Sequence, residues 1–350
     1  NRERMEGSRR CARACFDAGM KFLGALAFAA GLAVLGWLLF HYGTAPITAA
    51  WKTLGFGGLA IVVAAHLPVA AFLGLAWWSL GRDVAGATPA KFIWARLVRD
   101  GAAEVLPFSQ VGGYVFGARA LTLSGVSGFF AAISTVVDLV VELAAKLPYL
   151  LIGLALLVML KPESEYFTPV LIGVAISACL LILAILFRNH SRGALESLAM
   201  RMAQRWPALH LGDANQTRAT ISGVLAKDGR AGAGFVLHFI AWGLGAFEAW
   251  IAFRLMGANI NLAEAAVIDS LFTGVRTFAF FIPGAIGVQE AAYVALCAMF
   301  GIPPGLALAF SLVRRARDFL IGVPCLFGWQ LSEGRRALFA PQPMAATDGD

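Results

Sequence analysis

The chain has 350 residues, of which 59% are hydrophobic and only 14% charged, with a mean hydropathy of +0.74. A soluble globular protein carries about 25% charged residues and about 45–50% apolar ones, so this chain cannot cover a soluble surface and is excluded as a cytosolic enzyme. The net charge of +7 sits in flanks between apolar runs, not in a basic stripe interleaved with aromatics, which excludes nucleic acid as the expected partner.

Arg2, Arg4, Arg9, Arg10, Arg13 and Lys21 precede the first apolar run, 22–40. At roughly 20 residues this run is long enough to span a bilayer, and no Ala-x-Ala site follows it, so it reads as a span and not as a cleaved signal. Further apolar runs lie at 56–80, 126–160, 168–187, 233–256, 262–282, 285–300 and 305–330. Basic stretches extend from Arg82 to Arg99 and from Arg188 to Arg230, whereas 41–55 is nearly uncharged and 161–167 is net acidic. The positive-inside pattern therefore places the N-terminus, 82–99, the 188–232 loop and the C-terminus in the cytoplasm. Residues 101–118 are entered and left on that basic side and contain Pro107, Gly112, Gly113 and Gly117, so they read as a re-entrant, broken helix. In the 188–232 loop, Leu195, Leu198, Ala199, Met202 and Trp206 recur at helical spacing among arginines, as in an interfacial helix on anionic lipid.

The second half repeats the first upside down. Pro107 precedes Gly125 by 18 residues, and Pro283 precedes Gly301 by 18. Beyond the glycines come Ser134 and Pro148, then Ser311 and Pro324, at spacings of 14 and 13. The expected fold is an all-α, polytopic transmembrane helical bundle with inverted repeats and two re-entrant broken helices, the arrangement that builds transporter sites. One integral membrane domain, 1–350, is expected: a first inverted half with an extra N-terminal span (22–160), a connecting span (168–187), a cytoplasmic loop (188–232) and a second inverted half (233–330).

Each charge within a span costs roughly 2.5–3.5 kcal/mol on insertion scales and so needs a reason. Asp138, Glu142 and Lys146 recur at four-residue spacing on one face. Lys146 reaches Glu142, which leaves Asp138 seeking a partner; equal offsets from Ser134 and Ser311 suggest Arg315. Arg314, Arg317 and Asp318 share a face, with Arg315 turned about 100° away. These charges form either a structural ion network or a site for an anionic head group. Arg276 and Asp269 lie on one face before Pro283, and Gln289 and Glu290 follow the break. A half-helix opening near Gly284–Gly287 offers free N–H groups and a positive dipole end to an anion, unless Glu290 caps them itself. The counterparts in the first half are Gln110, Gly112, Gly113 and Arg119, the glycines permitting close approach of a ligand or a neighbouring helix.

Other motifs carry less. Gly125-Val126-Ser127-Gly128 matches Gly-x-Ser-Gly of intramembrane serine proteases but lacks a nucleophile turn. His41, His66 and His238 have no metal spacing, and Cys11, Cys15, Cys179, Cys297 and Cys325 read as small core residues. No enzyme activity, cofactor or metal is expected.

The strings VLPFSQVGGYVFGARAL, STVVDLVVE and RTFAFFIPGAIGVQEAAYVALCAMFGIPP with LAFSLVRRARDFLIGVP resemble the lysylphosphatidylglycerol synthase transmembrane (flippase-like) superfamily, most closely its hopanoid-biosynthesis-associated branch. The resemblance covers roughly 20–335 and falls on Gly112, Gly113, Arg119, Asp138, Pro283, Gly284, Gly287, Gln289, Glu290, Arg314 and Arg315. It implies a multi-pass protein of the bacterial inner membrane that moves or handles lipids, with membrane lipids, hopanoid or a related lipid or an anionic lipid, as partners. The superfamily's lysyltransferases carry a soluble catalytic domain after the membrane part; here about 20 residues follow the last apolar run, so lysyl transfer is not expected. A non-catalytic scaffold for lipid-biosynthesis enzymes is the alternative.

Overall fold

The computed structural model describes residues 29–106, 109–161, 229–279 and 282–339, with 219, 220 and 223. The basic N-terminus, the acidic turn from residue 162, the 168–187 span, the 188–228 part of the loop with its interfacial helix, and Cys11, Cys15 and Cys179 lie outside the described residues. Within them the chain forms helices joined by short turns: α1 (Ala29–Tyr42), α2 (Ala45–Ser79), α3 (Pro89–Val105), α4 (Ser109–Leu123), α5 (Gly128–Leu160), α6 (Arg230–Leu255), α7 (Leu262–Phe278), α8 (Val288–Ala298) and α9 (Pro304–Phe339).

Apolar length explains α2, α5 and α6, each long and apolar enough to cross a membrane. Their outward faces expose large apolar side chains such as Phe56, Ile61, Ile152, Met159 and Phe247. On α9, Phe319, Val323, Phe327 and Leu331 recur every fourth residue on an exposed stripe, while Leu308, Ser311 and Arg317 are buried. That helix therefore presents one face to lipid and a polar one to the bundle.

The two predicted breaks form helical hairpins. Gly113 packs against the carbonyl of Arg99, and Gly117 against Ala95, so α4 runs back along α3. Phe272 on α7 stacks on Tyr293 of α8 with ring centroids 4.2 Å apart. Asn261 starts α7 with a capping box, its side chain accepting from the Glu264 N–H while Glu264 accepts from the Asn261 N–H, both at 2.9 Å. The paired glycines at the end of each 18-residue interval close α4 and α8 alike. Gly125 and Gly301 have φ of +88° and +70°, and the next residue's N–H reaches back to Leu121 and Cys297 in turn. Gly257 closes α6 in the same way, so the common register, and not the cap, carries the internal repeat.

Two large apolar clusters dominate the core of the described residues, with two smaller ones beside them. Trp77, Phe92, Leu121 and Phe130 centre one cluster among α2–α5. Phe253, Tyr293 and Phe310 centre the other, with the Phe253 and Phe310 rings stacked at 3.9 Å, among α2 and α6–α9.

One expectation is corrected here. Residues 82–99 are a solvated basic flank only at their start, where Arg82 is exposed; α3 begins at Pro89 and is packed on α2, α4 and α9. Phe92, Ala95 and Val98 are fully buried, and Arg96 and Arg99 are buried with them. The run looked like a flank because its arginines outnumber its acids before Asp100 and Glu104 are counted.

Helix α3 crosses α9 where Gly101 meets Gly322; a Cβ on Gly101 would lie 2.8 Å from the Gly322 Cα. Rigid backbone on both sides leaves no room for a branched side chain. Gly101→Val and Gly322→Val should each destabilise by about 1–3 kcal/mol, read from unfolding in detergent. The double variant should cost less or more than the sum, because the two sites touch.

Candidate functional site

Three groups of buried charges hold the helices together. In the first, α3 delivers Arg96 and Arg99 to the acidic face of α5. Arg99 bridges Asp138 and Glu142, at 2.8 Å to each, and Arg96 reaches Glu142 at 3.0 Å and Asp100 at 2.7 Å. Lys146 completes the set at 3.1 Å from Glu142, as its spacing predicts. From α6, His238 Nε2 lies 3.0 Å from Asp138, and from α4 the Tyr114 ring lies 4.1 Å from the Arg99 guanidinium. Such bidentate and stacked contacts suit arginine's planar fork and not lysine's point charge. Ligand atoms of Asp138, Glu142 and His238 lie within 4.8 Å of one another, a spacing a cation could use, but Arg96, Arg99 and Lys146 already supply the positive charge there.

The second group centres on α9. Arg314 pairs with Asp269 of α7, which also accepts from the Tyr149 hydroxyl at 2.8 Å. Arg317 pairs with Glu248 of α6 and with Asp318. Glu248 is shared a second time, with His66 Nδ1 of α2 at 2.7 Å.

The third group closes the break before α8. Glu290 accepts from the Gly287 N–H at 2.8 Å, from Arg315 at 2.7 Å and from Ser311 at 3.0 Å. Arg315 also donates to the Gly284 carbonyl at 2.9 Å, and Gln289 donates to the Ser311 hydroxyl at 3.0 Å. The turn Pro283–Ala285 rests against α3 and α4, so the two breaks meet.

Two expectations about these residues are corrected. Asp138 and Arg315 do not pair: Asp138 is satisfied by Arg99 and His238, Arg315 by Glu290 and Gly284. Equal sequence offsets placed them in matching positions of two halves, which puts them apart instead of in contact. At the opening of α8 the Glu290 carboxylate takes the Gly287 N–H and lies at the positive helix end where an anion was expected, the alternative the sequence left open. Gly287 faces helix α1 and no open approach; a Cβ there would lie 2.2 Å from the Gly31 carbonyl oxygen. Gly113 likewise serves a close helix approach, and Gly112 is half-buried beside it. Arg119 sits at the periphery, tied to Glu333 of α9. Arg276 does not turn to Asp269 or Glu290 but pairs with Glu104 of α3, joining the two hairpins. The Gln110 and Pro283 side chains lie outside the described residues.

Sequence reasoning passed over Arg96, Arg99, Asp100, Glu104, His66, His238 and Glu248. Glu248 was detectable: it is a lone carboxylate inside the apolar run 233–256. The arginines were masked by the positive-inside argument, and the histidines by a search restricted to metal spacing.

Beside these groups lies a small, partly open cleft of about 30 Å³. Its polar lining is His66, Asp100, Glu104 and Asp318, and Leu97, Ala70 and Ile321 supply apolar walls. It adjoins Arg276 and Arg317 through their partners Glu104 and Asp318.

An apolar exterior around buried, paired charges, with hairpins broken inside the bundle, defines a polytopic α-helical membrane protein. Residues 23–325 match the family model for the lysylphosphatidylglycerol synthase TM region, and the chain belongs to this family of lipid-related membrane proteins. No curated protein and no solved structure matches the chain.

Removing one partner of a buried ion pair leaves a charge uncompensated, at about 3–5 kcal/mol. Arg99→Gln and Asp138→Asn should therefore each destabilise strongly but couple by about 1 kcal/mol or more in a double-mutant cycle. Asp138→Asn and Arg315→Gln should instead add within about 0.5 kcal/mol, as separated sites do. Chemical unfolding of the purified variants distinguishes the two patterns.

Proposed function

We propose that this protein is a non-enzymatic lipid transporter of the bacterial inner membrane, flippase-like, that handles hopanoid or a related lipid with an acidic or polar head. The supporting observation is the cleft: polar groups from α2, α3 and α9 line a space inside a bundle whose outer faces are apolar. A lipid needs that combination, because its tails remain in hydrocarbon while its head needs hydrogen-bonding groups at depth. Arg276 and Arg317 stand behind the acidic lining of the cleft, where a head group could exchange with their partners Glu104 and Asp318. The sequence resemblance supplies the lipid class.

Orientation follows from the charge distribution, with the N-terminus, the 188–232 loop and the C-terminus cytoplasmic. Single cysteines introduced at Ser197 and Ser164 test it: Ser164→Cys should label from the periplasm and Ser197→Cys should not.

Transport is tested with a fluorescent phosphatidylglycerol in vesicles of phosphatidylethanolamine and phosphatidylglycerol. Arg276→Lys keeps the charge but loses the fork, and Leu97→Phe narrows the cleft. Each should slow translocation about tenfold, equivalent to roughly 1.4 kcal/mol on the barrier, with the unfolding midpoint essentially kept. Stability falling in step with activity returns Arg276 to a purely structural tie. Wild-type protein that moves no lipid favours the scaffold for lipid-biosynthesis enzymes.

A further inference from the structure

The two charged networks are not equally complete. Around α3 and α5, Arg96, Arg99 and Lys146 face Asp100, Asp138 and Glu142, three against three. Around α9 the guanidiniums are Arg276, Arg314, Arg315 and Arg317. Their carboxylate partners are Glu104, Asp269, Glu290, Glu248 and Asp318, one more than the cations. Among the described residues this second network is one positive charge short, because Arg317 is shared between Glu248 and Asp318.

The second network also contains a histidine against a doubly used carboxylate. His66 Nδ1 lies 2.7 Å from Glu248, whose other oxygen is held by Arg317. The two histidine–carboxylate pairs differ in access. His238 is sealed, with no exposed surface, whereas the His66 side chain is 19% exposed and lines the open cleft. With Nδ1 committed to Glu248, Nε2 is the ring nitrogen left to take a proton. The groups around His66 are all acidic or already paired: Glu248 from α6, Asp318 with its partner Arg317 from α9, and Asp100 and Glu104 from α3.

We infer that His66 is a proton-binding site, reached through the cleft, and that the ion coupled to lipid movement is a proton. The coupling half of this inference rests on the transport reading above; the binding half does not. With the proton in place, the imidazolium closes the charge count and locks α2 to α6 through Glu248. On its loss the Nδ1–H still donates to Glu248, but the attraction between opposite charges is gone and the α2–α6 tie weakens. Pro68, two residues along α2, leaves that helix one backbone hydrogen bond short beside the lock, so α2 is able to bend there.

Histidine-selective nitrogen NMR on the full chain in nanodiscs reads the binding half directly. At about pH 7, where an imidazole changes charge most readily, one ring should carry two N–H protons. That signal should vanish in His66→Gln, which keeps an amide donor for Glu248, and in Glu248→Gln, and it should persist in His238→Gln. A single-tautomer neutral ring at His66 overturns the site, as does a sodium-dependent shift in its place, which would make the missing charge a metal cation. For the coupling half, an imposed pH gradient should change translocation of the fluorescent phosphatidylglycerol by about fivefold or more, the low end of site-to-site coupling, and not in His66→Gln. Translocation indifferent to the gradient, with the doubly protonated ring present, overturns proton coupling while the transport reading stands. Absence of translocation in every variant overturns the transport reading and the coupling with it, while the ring signal still decides the proton site.

Discussion

A charge that leaves water must take its counter-charge with it, and nearly every feature of this bundle follows from that requirement. Moving an ion into a low-dielectric interior costs several kcal/mol even after relaxation, so Asp138, Glu142, Glu248, Asp269 and Glu290 can be buried only because arginines arrive from other helices. The pairs fix which helices are neighbours. Arg99 ties α3 to α5, Arg314 ties α9 to α7, Arg317 ties α9 to α6, and Arg276 ties α7 back to α3. Apolar packing fills the core but offers little direction, since Leu against Leu is as favourable at many registers and lipid tails compete for the same surface. The ion pairs supply register.

Arginine, not lysine, does most of this work, for a geometric reason. Each buried carboxylate has several lone-pair directions to satisfy, and a guanidinium covers two at once. Arg99 serves two acids and a tyrosine face together; Arg315 serves a carboxylate and a backbone carbonyl exposed by the break at Gly284. The break is thereby paired inside protein, the condition under which irregular backbone persists at membrane depth.

How much of this was legible in the sequence depends on which physical signal each feature carries. The long helices α2, α5 and α6 were readable from apolar length, and the breaks from Pro107 and Pro283, because those signals act locally; α3, with its buried arginines, was not. Lys146 beside Glu142 was readable because four-residue spacing is also local. The partners of Asp138 were not: Arg99 is 39 residues away and His238 is 100 away, and no periodicity links them. The offset argument failed for Arg315 because an internal repeat relates positions that occupy equivalent places, which keeps them apart as often as it joins them. The basic stretch ending at Arg99 was misread because a positive-inside count treats every arginine as solvated. Pairing inside the bundle removes that premise.

The makeup of α3 has a consequence for how the protein is made. Arg96, Arg99, Asp100 and Glu104 together would cost on the order of 10 kcal/mol to place in lipid alone, and only the Arg96–Asp100 pair lies within the helix itself. The acids that receive the arginines sit on α5, and the arginine that receives Glu104 sits on α7, some 170 residues later in the chain. The α3–α4 hairpin leaves the ribosome long before these partners exist. It must wait at the membrane surface, or inside the insertion machinery, until α5 and then α7 have entered. Burial of this hairpin is therefore complete only after helices made later have arrived.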